Sequence, residues 1–216
     1  MNIQELLGGL ARQGSAWVMW LLVACSIVGL AVALERALTL FATRDGGEAL
    51  RADVVRMLRA GDLVQVAKRL ATSPSIEAKI VRAGVDAAGD GAGAVEERLL
   101  AATQTQRVQM ERRLVFLGTL GANAPFVGLL GTVIGIIGAF HQLDASAGKV
   151  SAGLMAQVGE ALIATAIGIL VAIPAVAAYN FFQRVNRTRL LHAEALGREL
   201  LATLRAEGAP GARGGR

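Results

Sequence analysis

At 216 residues the chain is long enough for one or two soluble domains, but 54% of it is AVILMFWYC, glycine adds 26 residues, and only 18% is charged. With a mean hydropathy of +0.50, that balance excludes a disordered chain and argues against an ordinary soluble enzyme. One cysteine excludes an intrachain disulfide, and two histidines spell out no metal-ligand cluster.

Residues 1–15 form a short polar lead-in. Ala16 to Leu34 then holds 19 residues without a charge, and a first transmembrane helix is assigned to residues 16–40. Only Arg12 precedes this apolar core, which is longer than a signal peptide's, so it reads as an uncleaved anchor. Residues 41–113 are polar and helical in pattern. Ala49–Leu58 and Asp62–Ala71 carry apolar residues at helical spacing, split by Gly61. Ser73-Pro74 reads as a helix start, with a hydroxyl cap, proline at the first position and Glu77 in the first turn. A glycine-rich break over Ala88–Gly93 precedes a stretch without breakers, so one helix is expected from about Val95 to about Phe140.

A second span, residues 114–140, falls within the 30 uncharged residues from Leu114 to Leu143. After a loop at 141–153, a third span at 154–182 lies in a run of 34 residues, Val150 to Gln183, whose only charge is Glu160. Residues 183–216 read as a tail, ending in a Gly/Pro/Arg-rich stretch from Gly208 expected to be disordered. Basic residues fix the orientation. Thirteen lie in Arg36–Arg113 and seven in Arg184–Arg216, against Arg12 and Lys149 alone elsewhere. By the positive-inside rule, 1–15 and 141–153 are periplasmic, and 41–113 and 183–216 cytoplasmic. The net charge of +5 is thereby read as topology, not as nucleic-acid binding.

The spans carry the informative residues. Gly121, Gly128, Gly131, Gly135 and Gly138 of span two recur at three-to-seven spacing, which lets helix backbones approach closely. They suit contact with spans one and three of the same chain, and their spread over more than one face suggests subunit contacts as well. Pro125 and Pro174 free the carbonyls of Gly121 and Leu170 and are read as packing kinks. Glu160 costs about 2.5–3.5 kcal/mol at a span centre and so must face protein or water. Spacing places it in the middle region of the bilayer with Thr132 and Thr165, as the lining of a polar path. Membrane threonines also commonly bond back to their own helix. Cys25, His141 and His192 receive no chemistry. No phosphate-binding loop, zinc spacing or nucleophile–base pair is present, so no enzyme activity and no cofactor are expected.

The runs APFVGLLGTVIGIIGAF (Ala124 to Phe140) and EALIATAIGILVAIPAVAAYN (Glu160 to Asn180), with Glu35-Arg36 after span one, resemble the ExbB/TolQ/MotA proton-channel family. Three spans are similar to ExbB and TolQ rather than to the four-span MotA stators. The resemblance implies an all-α, polytopic inner-membrane protein with a helical cytoplasmic insert, forming a homo-oligomeric ring, usually a pentamer, around a single-span ExbD or TolR partner. A partner aspartate would carry protons past Thr132 and Thr165, with Glu160 as the family's membrane glutamate, and the energy would pass to TonB or TolA. Two departures stand out: the outer segment is short, and LMAQVG before Glu160 lacks the Pro-Gly common there. An ExbB-like role is the first expectation and a TolQ-like role the second. A passive scaffold and a solute transporter are the rivals, the latter weakened by three spans without an inverted repeat.

Overall fold

The computed structural model describes residues 14–43, 47–145 and 150–207. Residues 1–13, 44–46, 146–149 and 208–216 lie outside the described residues, and with them most of the segment 1–15, the loop around Lys149 and the stretch from Gly208. Within them every regular element is a helix: α1 (Ala16–Ala42), α2 (Gly47–Arg59), α3 (Leu63–Thr72), α4 (Ile76–Asp86), a 3₁₀ turn (Ala88–Asp90), α5 (Ala92–Glu111), α6 (Leu114–Ala145) and α7 (Ala152–Glu207). α1, α6 and α7 each contain a stretch long and apolar enough to cross a membrane.

The chain divides into two compact units. One holds the part of α1 up to Leu34, α6, and α7 up to Phe181. Here more of the large apolar side chains are exposed than buried. Ile27, Leu30, Phe126, Leu170 and Ile173 are exposed, as a surface meeting lipid or other apolar helices requires. Its own core is small, with Val18, Leu22, Ala124, Ile134, Val171 and Ala172 buried together.

The other unit is a helical bundle of α2–α5 with the ends of α1 and α7. Its packing follows from spacing. Leu50, Val54 and Leu58 recur every fourth residue on α2, as do Val66 and Leu70 on α3 and Val95 and Leu99 on α5. Each set makes one apolar stripe, and all are buried with Ile80, Val81, Leu196 and Leu200. α3 is capped by Asp62, whose carboxylate accepts from the Gln65 amide at 3.0 Å. Gly61 and Gly91 hold the chain reversals at positive φ, +71° and +94°.

Three sequence expectations change. The cap of α4 is Ser75, accepting from the Ala78 amide at 3.1 Å; Ser73 and Pro74 stand outside the helix. Ser73 Oγ instead accepts from the Ser75 amide at 3.3 Å and donates to Ser75 Oγ at 3.0 Å. The helix expected to run unbroken from Val95 to Phe140 is divided at Arg112 and Arg113, between α5 and α6. Arg112 keeps helical dihedrals, φ −48° and ψ −40°, so the interruption lies in hydrogen bonding and leaves no breaker residue to read. Finally, residues 183–207 are not a tail. α7 is one 56-residue helix, and its last turns bury Ala193, Leu196, Leu200 and Leu201 in the bundle core.

Candidate functional site

α6 and α7 pack antiparallel along a seam of small residues. A Cβ placed on Gly135 would lie 2.5 Å from the Ala161 Cβ, one on Gly131 2.7 Å from the Ala164 Cβ, and one on Gly121 2.5 Å from Val176 Cγ2. At two positions the obstacle is backbone: a Cβ on Gly128 would meet the Ala164 carbonyl at 2.8 Å, and one on Gly168 the Ala124 carbonyl at 2.6 Å. Gly121, Gly128, Gly131 and Gly135 thus serve contact within the chain, chiefly with α7. Gly138 is also buried on α6. Both helices run through their prolines, Pro125 and Pro174, without ending.

This seam positions the polar residues. Gly131 meets Ala164, and in antiparallel helices the next residue on each falls on the same flank, which puts Thr132 and Thr165 on one flank of the seam. Thr165 Oγ1 donates across the seam to the Gly128 carbonyl at 3.2 Å. Thr132 is buried and donates to its own helix, at the Leu129 carbonyl, 2.6 Å away. Both hydroxyl protons are engaged, while their oxygens retain acceptor capacity.

Glu160 is turned elsewhere. Five residues rotate the helix by about 140°, and its carboxylate accepts from Ser15 Oγ at 3.1 Å, at the start of α1. Ser15 is buried, with 1% of its surface exposed. The bond ties Glu160 to the start of α1, about 7.5 Å from Thr165 along α7, toward the N-terminus of that helix. Nearby in sequence, Trp17 Nε1 and Gln157 Oε1 are buried without a hydrogen-bond partner among the described residues, as groups served by ordered water are. Thr165 thus bonds across the seam to α6, Thr132 bonds within α6, and Glu160 bonds to Ser15.

Ser15 and Gly168 are the residues that sequence reasoning missed. Gly168 had a signal, the small-residue repeat Ala161, Ala164, Gly168 on α7. Ser15 had none, because it precedes the apolar run.

The model of the MotA/TolQ/ExbB proton channel family matches residues 72–195, more than half of the chain. The chain belongs to this family. The match takes in the Thr132, Glu160 and Thr165 positions. Among its relatives, the biopolymer transport protein ExbB of Xanthomonas campestris is 48% identical over 92 residues, 43% of this chain and 36% of that protein. ExbB of Neisseria gonorrhoeae is 38% identical over 110 residues, 49% of this chain and 50% of the relative. The Tol-Pal system protein TolQ of Pseudomonas aeruginosa is 37% identical over 129 residues, 60% and 51% respectively. The chain thus spans about a third to a half of the length of these relatives. It is a membrane protein of a proton-channel family with ExbB and TolQ homologues.

Proposed function

We propose that the chain is the ring subunit of a proton-motive-force-driven motor in the bacterial inner membrane, ExbB-like, and not an enzyme. In this reading it forms a homo-oligomer, a pentamer by family resemblance, around an ExbD-type single-span protein. Proton flow then energises TonB-dependent transport across the outer membrane. The observation that carries the reading is a threonine on each helix of a glycine-packed seam, inside runs where Glu160 is the single charge. A passive scaffold needs the glycines but gains nothing from a carboxylate in a span, whose insertion is costly.

Threonine hydroxyls do not titrate near neutral pH, so the carrier must be a carboxyl supplied by the partner. Each proton delivers about 2.3 kcal/mol per 100 mV and about 1.4 kcal/mol per pH unit. That suffices to bias two packings of similar energy if the protonation states prefer different ones. Glu160, outward of the threonines in this topology and close in sequence to Gln157, whose Oε1 is buried without a partner among the described residues, suits a hydrated entrance to the path.

The TolQ-like alternative, which would support outer-membrane integrity through TolR and TolA, is favoured by the 37% identity to TolQ over a longer stretch than the ExbB matches. Expression in strains lacking their own ExbB or TolQ tests both. Restored iron–siderophore uptake supports the first reading, restored detergent resistance the second. Restoration of neither, with the protein present in the membrane, would leave the scaffold.

A further inference from the structure

A small pocket of about 200 Å³ opens within the helical bundle, between the end of α1, α4, α5 and α7. The charged part of its lining is wholly cationic, Arg36, Lys79 and Arg189, with the amides Gln106, Gln109 and Asn186 beside them and apolar residues such as Leu40 and Phe182 making up part of the rest. No carboxylate among the described residues lines it.

The three cations differ in how far they are committed. Arg189 is balanced by Glu77, whose carboxylate accepts from Nε and Nη2 at 3.0 Å each. Nη1 and Nη2 also donate to the Thr43 hydroxyl and carbonyl at 2.8 and 2.7 Å. Four of five N–H groups are thereby used, leaving one on Nη1. Lys79 is exposed and has no ion-pair partner among the described residues. Arg36 adds a second guanidinium, which already has an interaction of its own. The pocket is therefore a concentration of positive charge and N–H donors, the chemistry that holds a phosphate oxygen.

Its place along the helices narrows the source. Arg36 is two residues, about 3 Å, beyond Leu34, where the charge-free run of α1 ends. On α7 the pocket begins at Phe182, next to Gln183, where that apolar run also ends. Each headgroup layer of a bilayer is about 5–7 Å deep, so both helices bring the pocket to headgroup level. Its volume is below the roughly 300–1,000 Å³ of drug-sized sites, which suits one headgroup.

We propose that this pocket binds the phosphate group of an anionic phospholipid, clamping α1, α4 and α7 at the membrane surface. Basic pockets between spanning helices commonly recognise anionic headgroups in this way. Purified full-length protein would be titrated, in native mass spectrometry, with short-chain phosphatidylglycerol, with the matching phosphatidylcholine and with sodium phosphate. The expected result is one phosphatidylglycerol adduct per chain at concentrations at least tenfold below those needed for phosphatidylcholine. Lys79→Glu should raise that concentration tenfold or more, and Lys79→Arg should restore it. Because Lys79 is exposed, its variants should keep the wild-type thermal melt. If Lys79→Glu lowers the melt, Arg36→Gln is read for the same tenfold loss.

Phosphatidylglycerol adducts that persist in excess phosphate would support the lipid source. Displacement by equimolar phosphate would overturn the lipid and assign the pocket to a soluble phosphate. Equal binding to wild type and to the charge variants, or equal binding of the two lipids, would overturn the phosphate site altogether.

Discussion

A single charge in an apolar run asks for a partner, and Glu160 finds one in Ser15. Glu160→Gln keeps an acceptor for that hydroxyl and removes the charge. It should leave expression and thermal stability within about 1 kcal/mol of wild type, since a net hydrogen bond is retained, while proton flux in liposomes with the partner falls to background. Unchanged flux would show that the charge has no part in conduction. The threonines need a different test, because their bonds differ. Valine matches threonine in shape, and the Gly128 carbonyl that Thr165 reaches is also the ordinary helical acceptor for the Thr132 amide, so its loss strands no buried group. A lost bond of this kind costs about 0.6 kcal/mol and at most about 2. Thr132→Val with Thr165→Val should assemble with its partner yet show no proton flux under a pH gradient. Flux equal to wild type would return both hydroxyls to helix packing. The three residues were legible in the sequence for unequal reasons. Glu160 stood out by cost, whereas the threonines stood out by motif. Their separation into two directions on α7 was visible only as an angle, until Ser15 gave one direction a partner.

At the scale of elements, the glycine pattern showed that close packing would occur but not which helix would be met. Helical spacing spreads span two's glycines over more than one face, and only the antiparallel seam shows that five of them, Gly118 with Gly121, Gly128, Gly131 and Gly135, face within the chain. Substitutions there should therefore act first on the pairing of α6 with α7. A methyl on Gly168 would sit 2.6 Å from a backbone carbonyl, whereas one on Gly159 would meet nothing within 4 Å. Gly168→Ala should lower stability by about 1–3 kcal/mol, the usual cost of overpacking. Gly159→Ala should be neutral or slightly stabilising, because alanine loses less backbone entropy in a helix. Thermal melts in detergent provide the comparison, and equal melts would mean that the seam opens without cost. The same limit explains why Arg112 could not be recognised as a helix boundary: its dihedrals remain helical, and nothing in its chemistry marks a stop.

For the molecule as a whole, the distribution of charge predicts a topology that reporters can read. Fusions at residue 60 and at the C-terminus should report cytoplasm and one at Ala147 periplasm; a cytoplasmic signal at Ala147 would remove the three-span arrangement. The charge count could not show that residues 183–207 belong to the bundle, since a polar amphipathic helix and a polar tail look alike until Leu196 and Leu200 find their neighbours. Nor could it show Arg189, which joins three distant parts of the chain: Thr43 at the end of α1, Glu77 on α4 and its own α7. The Arg189 and Glu77 side chains are only 12% and 9% exposed, so removing one leaves the other buried without its charge partner. Arg189→Ala should then destabilise the bundle by about 3–5 kcal/mol. Replacing both, as Glu77→Leu with Arg189→Met, should cost less than either single change, because no buried charge is left alone. Hydrogen exchange of α2–α4 reads the bundle separately from the membrane-spanning helices. Protection lost in the single variant and regained in the double would identify charge pairing as the source of stability, whereas equal loss in both would assign it to the Thr43 bonds that neither variant can make.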